Sequence, residues 1–334
     1  MSSGLITLAH GNGGRFMREL IQGVFAPCFA NPALDTNADA AVLPRTDGEL
    51  LVTTDGFIVE PLEFPGGDIG SLAVHGTVND LAVSGATPHW LTLSFLIEEG
   101  TEIDHLARIA ASIGKAAMAC GVAVVAGDTK VLPRGQGGGI YIAASGIGTR
   151  KPGVALGMAH IRAGDVLVVN GPVGDHGAAV LLARKAFGLQ GALRSDCASV
   201  LPYASAAMGF SGLRFMRDPT RGGIATVANE ISMGTGLHVV LDESTLPVSE
   251  EVQGVCDMLG YDPLYLASEG RVVAVVDPAQ APALLAAWRP VPGGSRAAIA
   301  GRVETGRRCV TLRTVLGGER LLDELEDDPL PRIC

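Results

Sequence analysis

Four aspartates stand in local settings that suit them to bind a cation: Asp39 in Asn37-Ala38-Asp39-Ala40-Ala41, Asp55 in Thr54-Asp55-Gly56, Asp80 in Val78-Asn79-Asp80-Leu81 and Asp128 in Gly127-Asp128-Thr129-Lys130. Hard oxygen ligands of this kind suit Mg²⁺, which keeps some of its waters and is commonly shared with nucleotide phosphates. A magnesium nucleotide is therefore the expectation. Aspartate beside glycine is also ordinary turn chemistry. Asp80 is the hardest to explain that way, because it falls inside an apolar helical segment where an unpaired carboxylate is costly. Lys130 follows Asp128 by two residues and could neutralise phosphate charge, and Glu269 in Ala267-Ser268-Glu269-Gly270-Arg271 could accept a proton if buried. Taken alone, each of the two is better read as a solvated surface charge.

Two segments offer backbone amides to an anion. His10-Gly11-Asn12-Gly13-Gly14 presents successive N–H groups without side-chain obstruction, the arrangement that wraps a phosphate, although a flexible loop has the same composition. Arg217-Asp218-Pro219-Thr220-Arg221-Gly222-Gly223 reads as a polar loop feeding a helix, with Asp218 and Arg221 as its polar candidates. A capped helix start would look the same. No GxxxxGK[ST] and no GxGxxG occurs, so a nucleotide site here must be built differently.

Cys334 follows Pro329-Leu330-Pro331-Arg332-Ile333. The prolines lack amide donors and bias their neighbours away from helix, and the preceding block Asp323-Glu324-Leu325-Glu326-Asp327-Asp328 repels itself. An extended, movable tail over 323–334 is expected, able to carry the thiol roughly 40 Å from Asp323 at about 3.3 Å per residue. The thiol then reads as a tethered nucleophile, or simply as the last residue. Cys28, Cys120, Cys197, Cys256 and Cys309 are scattered, mostly among apolar neighbours, and form no CxxC pair, which argues against a zinc site or a disulfide framework.

The elements that must position these groups alternate between strand and helix patterns. A short helix is expected from Phe16, helices over 68–84 and 103–119, and strands over 49–54, 90–97, 122–126 and 140–146, with the first and third strands ending at Asp55-Gly56 and Gly127-Asp128. A Gly- and Pro-containing stretch over 148–157 reads as a linker, which divides the chain into 1–150 and 151–322, followed by the tail. In the second part, strands are expected over 165–171, 237–241 and 271–276, and helices over 177–187, 223–233 and 280–288. The fold class is α/β of the α+β type, in two domains.

The 334 residues suffice for two cores, and 45 glycines point to tight turns or close approaches to a ligand. With 25 basic against 35 acidic residues and no basic stripe, a nucleic-acid partner is not expected. No apolar run of membrane-spanning length and no signal peptide is evident, so a cytoplasmic protein is expected.

The motifs His10-Gly11-Asn12-Gly13-Gly14, Thr54-Asp55-Gly56, Val78 to Ala86, Gly127-Asp128-Thr129-Lys130, Arg217 to Gly223 and Pro331-Arg332-Ile333-Cys334, taken in order, resemble the HypE family of hydrogenase maturation proteins, which are carbamoyl dehydratases. The resemblance covers nearly the whole chain. The wider superfamily, with aminoimidazole ribonucleotide synthetase and selenophosphate synthetase, shares the ATP-binding part but not the terminal cysteine. What the resemblance implies is a homodimer whose N-terminal domains pair into a barrel, with ATP and Mg²⁺ beside it. Asp39, Asp55, Asp80 and Asp128 match the family's magnesium and phosphate positions, Lys130 and Glu269 match residues near the reacting group, and the Gly-rich opening would close over the nucleotide. A partner carbamoyltransferase would load Cys334, ATP would drive dehydration to thiocyanate, and an iron-holding scaffold complex would accept the cyano group. The competing expectations are another ATP-dependent enzyme of the superfamily acting on a free small molecule, and a non-catalytic ATP-sensing scaffold.

Overall fold

The structure, a computed structural model, describes residues 4–38, 40–184, 192–325 and 333–334. Two compact units emerge: one holds the chain up to Leu81, Ala86–Pro152 and Cys334, the other Ala82–Gly85 and Gly153–Ile333.

The first unit is a four-stranded sheet covered by helices. Strands β1 (Glu49–Phe57), β2 (Thr87–Glu98), β3 (Ala123–Leu132) and β4 (Ile140–Arg150) lie in the order β1-β4-β2-β3. Only the β2–β3 pair is parallel. Along β2, Leu91, Leu93, Phe95 and Ile97 are buried while the residues between them are less so, the period-two alternation of a sheet with one covered face. The longer helices of this unit are α1 (Arg15–Leu20), α2 (Ile69–Val83) and α3 (Ile103–Cys120). In α3 the stripe Leu106, Ile109, Ala110, Ile113, Ala116 and Ala117 is buried at three- and four-residue spacing. That helix stops at Gly121, whose φ of 69° is the left-handed turn that glycine adopts without strain. A Cβ at Gly146 would lie 2.7 Å from Thr77 Cγ2, so the glycine lets α2 settle directly on β4.

Two expected strand ends are corrected here. Asp55 and Gly56 do not terminate β1 but sit inside it, opposite Ala144 and Ala143, and Gly127-Asp128 lies in the middle of β3, opposite Leu93 and Ser94. Both are edge strands, where a carboxylate reaches solvent and a glycine costs little.

The second unit is built on β5 (Val166–Val169), β6 (Leu213–Arg217), β7 (His238–Asp242), β8 (Val273–Val276), β9 (Ala298–Glu304), β10 (Val310–Arg313) and β11 (Glu319–Leu321). They form one sheet in the order β11-β10-β7-β9-β5-β8-β6, antiparallel throughout except for β7 against β10. Helices α4 (Asp175–Ala183), α5 (Leu201–Ala207), α6 (Gly223–Thr235), α7 (Glu250–Leu259) and α8 (Ala281–Trp288) cover it. The helix expected over 177–187 starts at Asp175, and residues 185–187 lie outside the described ones. Strand β8 is apolar at every position because both of its faces are covered: Val273 and Val275 join one core with Ile224, Ala228 and Ile231, while Ala274 and Val276 join another with Leu284, Leu285 and Trp288. Helix α7 carries its own start signal, Ser249 accepting from the Val252 amide with Glu250 and Glu251 in the first turn. The fold is of the expected mixed α/β class, with the antiparallel pairing of the α+β type.

Candidate functional site

In the first unit the expected residues fall into two groups at opposite edges of the sheet. At the β1 edge, Asp80 leans from α2 onto the strand and its Oδ2 accepts from the Thr53 hydroxyl at 2.7 Å. Thr53 and Asp55 are two residues apart on one strand and so face the same way. The structure thus answers how Asp80 is tolerated within an apolar helix: its carboxylate is only half-buried and hydrogen-bonded.

At the β3 edge, Lys130 Nζ pairs with Asp128 Oδ2 at 2.8 Å, with the two side chains 60% and 50% exposed. The hydrogen bond from Lys130 holds the Asp128 carboxyl below the usual carboxylate range. An ion pair this exposed contributes about 0–1 kcal/mol, so Lys130 can exchange Asp128 for a more strongly charged partner at little cost. The Gly-rich opening lies against the same strand, since a Cβ on Gly11 would come within 2.7 Å of the Val131 amide nitrogen. Gly13 takes a φ of 74°, and its amide donates to Met17 Sδ at 3.2 Å. His10 is turned back on its own segment, its Nδ1 accepting from the Thr7 amide at 3.0 Å and its ring resting on Phe16.

The three described aspartates, Asp55, Asp80 and Asp128, do not assemble in one chain. Asp39 lies outside the described residues. Asp55 and Asp128 are on strands separated by two others, hence roughly 14 Å apart at about 4.8 Å per strand. Among the described residues no group of three or more His, Cys, Asp or Glu could hold a metal ion. The carboxylates of a single described chain therefore do not form a magnesium site. A cavity of about 150 Å³, bordered by Phe25, Phe29, Phe95 and Asp128, adjoins Ala38 and Ala40 on either side of Asp39. It is smaller than the roughly 300–1,000 Å³ of a site that encloses a whole drug-sized ligand. Its walls are largely apolar, with Asp35, Thr36, Asp128 and Thr129 as the polar lining.

The second unit holds a buried polar network that the sequence did not disclose. Glu269 is 2% exposed, and its amide donates to Asp196 Oδ1 at 3.0 Å. Ser268 N donates to Pro219 O at 3.0 Å, which joins the Glu269 segment to the Asp218 loop; Asp218 is buried and Arg221 exposed. Arg271 bridges two carboxylates, Nη2 to Asp175 Oδ2 at 3.2 Å and Nε to Asp196 Oδ2 at 3.4 Å, and its Nε also donates to Pro172 O at 2.6 Å. Burial, and then the neighbouring Asp196 charge, push the Asp175 carboxyl above the usual range against the pull of Arg271. Gly270 is squeezed between these groups, since a Cβ there would fall on the carbonyl oxygen of Asp196. His176, wholly buried, takes Ser195 Oγ at 2.8 Å on Nδ1 and Ile333 O at 2.7 Å on Nε2. Burial lowers its pKa. Ile333 is 2% exposed and Cys334 half-buried, while residues 326–332 of the expected tail lie outside the described ones. One signal for this network was available: Asp175-His176 opens an apolar helix, the same anomaly that drew attention to Asp80. The Asp196 contribution, 75 residues before Arg271, had no local signature.

Residues 37–149 match the AIR synthase related protein, N-terminal domain, and residues 162–312 the AIR synthase related protein, C-terminal domain. The chain is 47% identical over 333 residues to carbamoyl dehydratase HypE of Rhodobacter capsulatus, covering 98% of each protein. A crystal structure of hydrogenase maturation protein HypE in complex with ATP superposes with a TM-score of 0.93 at 43% identity, covering 98% of this chain and 99% of that one. A HypE–HypF complex gives 0.80 at 41% identity, covering 92% and 99%. No helix among the described residues is long and apolar enough to cross a membrane.

Proposed function

This chain belongs to the HypE family of carbamoyl dehydratases, and from that premise we propose that it dehydrates a carbamoyl group carried on the Cys334 sulfur, using ATP, to supply cyano ligands for NiFe hydrogenase maturation. The observation that carries the proposal is similarity to a carbamoyl dehydratase at 47% identity across 98% of both chains. An ATP complex of a relative with a TM-score of 0.93 supports ATP as the co-substrate.

The chemistry begins from a thiocarboxamide, S–C(=O)–NH₂, whose oxygen is a poor leaving group. Transfer of the γ-phosphoryl group to that oxygen, with loss of one N–H proton, gives an S–C(=NH)–O–phosphate and ADP. Loss of the second N–H proton then expels inorganic phosphate and leaves S–C≡N. Lys130, whose exposed pair with Asp128 is easily exchanged, neutralises charge on the transferring phosphoryl group. The backbone of His10, Gly11, Asn12, Gly13 and Gly14, which starts from contact with Val131, supplies amides to the phosphates. Asp218 and Arg221 belong to a second anion-facing loop. Glu269 takes an N–H proton, its segment held by Asp196 and Pro219.

Magnesium is part of the family expectation, but Asp55, Asp80 and Asp128 of one chain do not gather into a site, so no step is derived through it. A complete carboxylate set requires Asp39 or a second copy. We assign the protein a homodimeric state with barrel-forming N-terminal domains of about 1–150, a C-terminal domain of about 151–322, a carrier tail and a cytoplasmic location. A relative crystallised as a HypE–HypF complex supports a protein partner, to which we assign carbamoyl loading. Transfer of the cyano group to an iron-holding scaffold follows.

Intact-mass measurement tests the proposal. Incubated with a carbamoyl-donor system and ATP, the protein gains one carbamoyl group at Cys334 and then loses one water, and Cys334→Ala does neither while still binding ATP. An unmodified Cys334, or cyano-group synthesis by Cys334→Ala, overturns the assignment.

A further inference from the structure

The contact between His176 and Ile333 is chemically directional. A peptide carbonyl can only accept, so the 2.7 Å bond to Ile333 O requires the proton on Nε2. In a neutral imidazole Nδ1 is then an acceptor, and Ser195 must turn its hydroxyl proton toward it across 2.8 Å. Ser195 Oγ is left free to accept, and it takes the Cys197 amide at 3.0 Å. Cys197 N–H, Ser195 O–H, the His176 ring and the Ile333 carbonyl thus form one chain of donors and acceptors with a single consistent polarity. Burial, which lowers the His176 pKa, maintains the neutral ring that this polarity needs.

The same short loop serves Glu269. Asp196, the residue after Ser195, accepts the Glu269 amide on Oδ1 and forms an ion pair with Arg271 through Oδ2 at 3.4 Å. The position of the Glu269 backbone and that of the last peptide bond before Cys334 are therefore set by adjacent residues of one loop, 195–197. We propose that His176 is a positioning residue for the dehydration: as the Nε2–H tautomer that the Ile333 carbonyl demands, with Ser195 serving Nδ1, it grips that carbonyl and so sets where the carrier sulfur of Cys334 is held. The inference rests on the function proposed above. No group of His176 touches the reacting atoms, and its contribution is geometric. A reacting group displaced by about 1 Å can cost about 100-fold in rate, and one lost hydrogen bond to a buried acceptor about tenfold.

The test is single-turnover dehydration of pre-carbamoylated protein, followed by intact mass, alongside ATP affinity and the rate of iodoacetamide labelling at Cys334 measured on its peptide. His176→Phe keeps a buried ring without the donor; dehydration falls about 10- to 100-fold and Cys334 labels faster, with ATP affinity unchanged. His176→Gln places an amide N–H near the lost Nε2 and restores dehydration to within about threefold of wild type, below the effect of one lost hydrogen bond. Ser195→Ala leaves Nδ1 without its donor but keeps the Ile333 carbonyl, so it gives an intermediate rate while ¹⁵N-histidine spectra still show Nε2–H; a wild-type ring protonated on Nδ1 instead overturns the inference. Wild-type dehydration rates in His176→Phe, labelling of Cys334 unchanged by it, or His176→Gln no better than His176→Phe, each overturn the inference while leaving the proposed function intact. Failure of the wild-type protein to dehydrate at all removes the proposed function instead, and the inference with it.

Discussion

Asp128–Lys130 and Asp175–Arg271–Asp196 are both carboxylate–cation arrangements, yet they are built in opposite ways. The first pair is at least half exposed, two residues apart on an edge strand, and contributes little to the fold. In the second, every charged side chain is 1–13% exposed and its members come from segments up to 96 residues apart. An ion pair left in water can be dissolved and remade around a phosphate at little cost. A buried one cannot be dissolved without stranding charge, so it suits the fixing of backbone such as the 268–271 segment. Exchangeable charge in one unit and fixed charge in the other is the division of labour that the proposed chemistry needs.

Breaking the buried side should have the largest effect. Arg271→Met leaves Asp175 and Asp196 facing each other without a cation, and we expect a loss of about 3–5 kcal/mol in unfolding free energy, measured by denaturant titration. If the variant is as stable as wild type, the network is not fixed in the sense argued. Lys130→Ala sharpens the other side. Its dehydration rate should fall about 10²- to 10³-fold, the effect of deleting one preorganised charge stabiliser, while its unfolding free energy moves by less than about 1 kcal/mol. Stability loss in parallel with activity would erase the contrast.

His75 tests whether the first unit also hides titratable groups. Burial pushes its imidazole down to about 4 from an ordinary 6.5, so the unfolded chain takes up a proton that the folded one refuses. The resulting stability is complete above pH 6.5 and declines as the pH falls toward 4, by at most about 1.4 kcal/mol per pH unit. Thermal melts of His75→Phe should show a shallower decline across that window than wild type. Equal slopes would mean that His75 stays hydrated. The smallest effect belongs to Ser249→Ala, which removes the cap of α7 and the hydroxyl that donates to Asp175 Oδ1 at 3.1 Å, and should lower stability by about 1–2 kcal/mol in a denaturant titration.

What the sequence conveyed depended on range. Periodicity located α3 and β2, because their buried faces repeat at three to four or at two residues, whereas α2 was legible from its apolar run and is buried at nearly every position. Asp55-Gly56 and Gly127-Asp128 looked like strand ends because a carboxylate beside a glycine is turn chemistry, and only the sheet order reveals that both occupy edge strands. Lys130 was legible as a charge near Asp128, since its partner is two residues away. The setting of Glu269 was not, since Asp196 approaches it from 73 residues earlier in a loop without regular structure. The separation of Asp55 from Asp128 was invisible for the same reason. Similar local motifs suggest one cluster until strand order sets Asp55 and Asp128 at opposite margins.

Gly270 draws a further consequence from the crossing of two loops. With the Asp196 carbonyl occupying the place of any first side-chain carbon, tolerance at this codon should be all or nothing. In a saturation library selected for hydrogenase activity, alanine should be purged as completely as tryptophan, because the smallest branch off the backbone already collides. Neighbouring Ser268 would show the usual graded ranking by size and polarity.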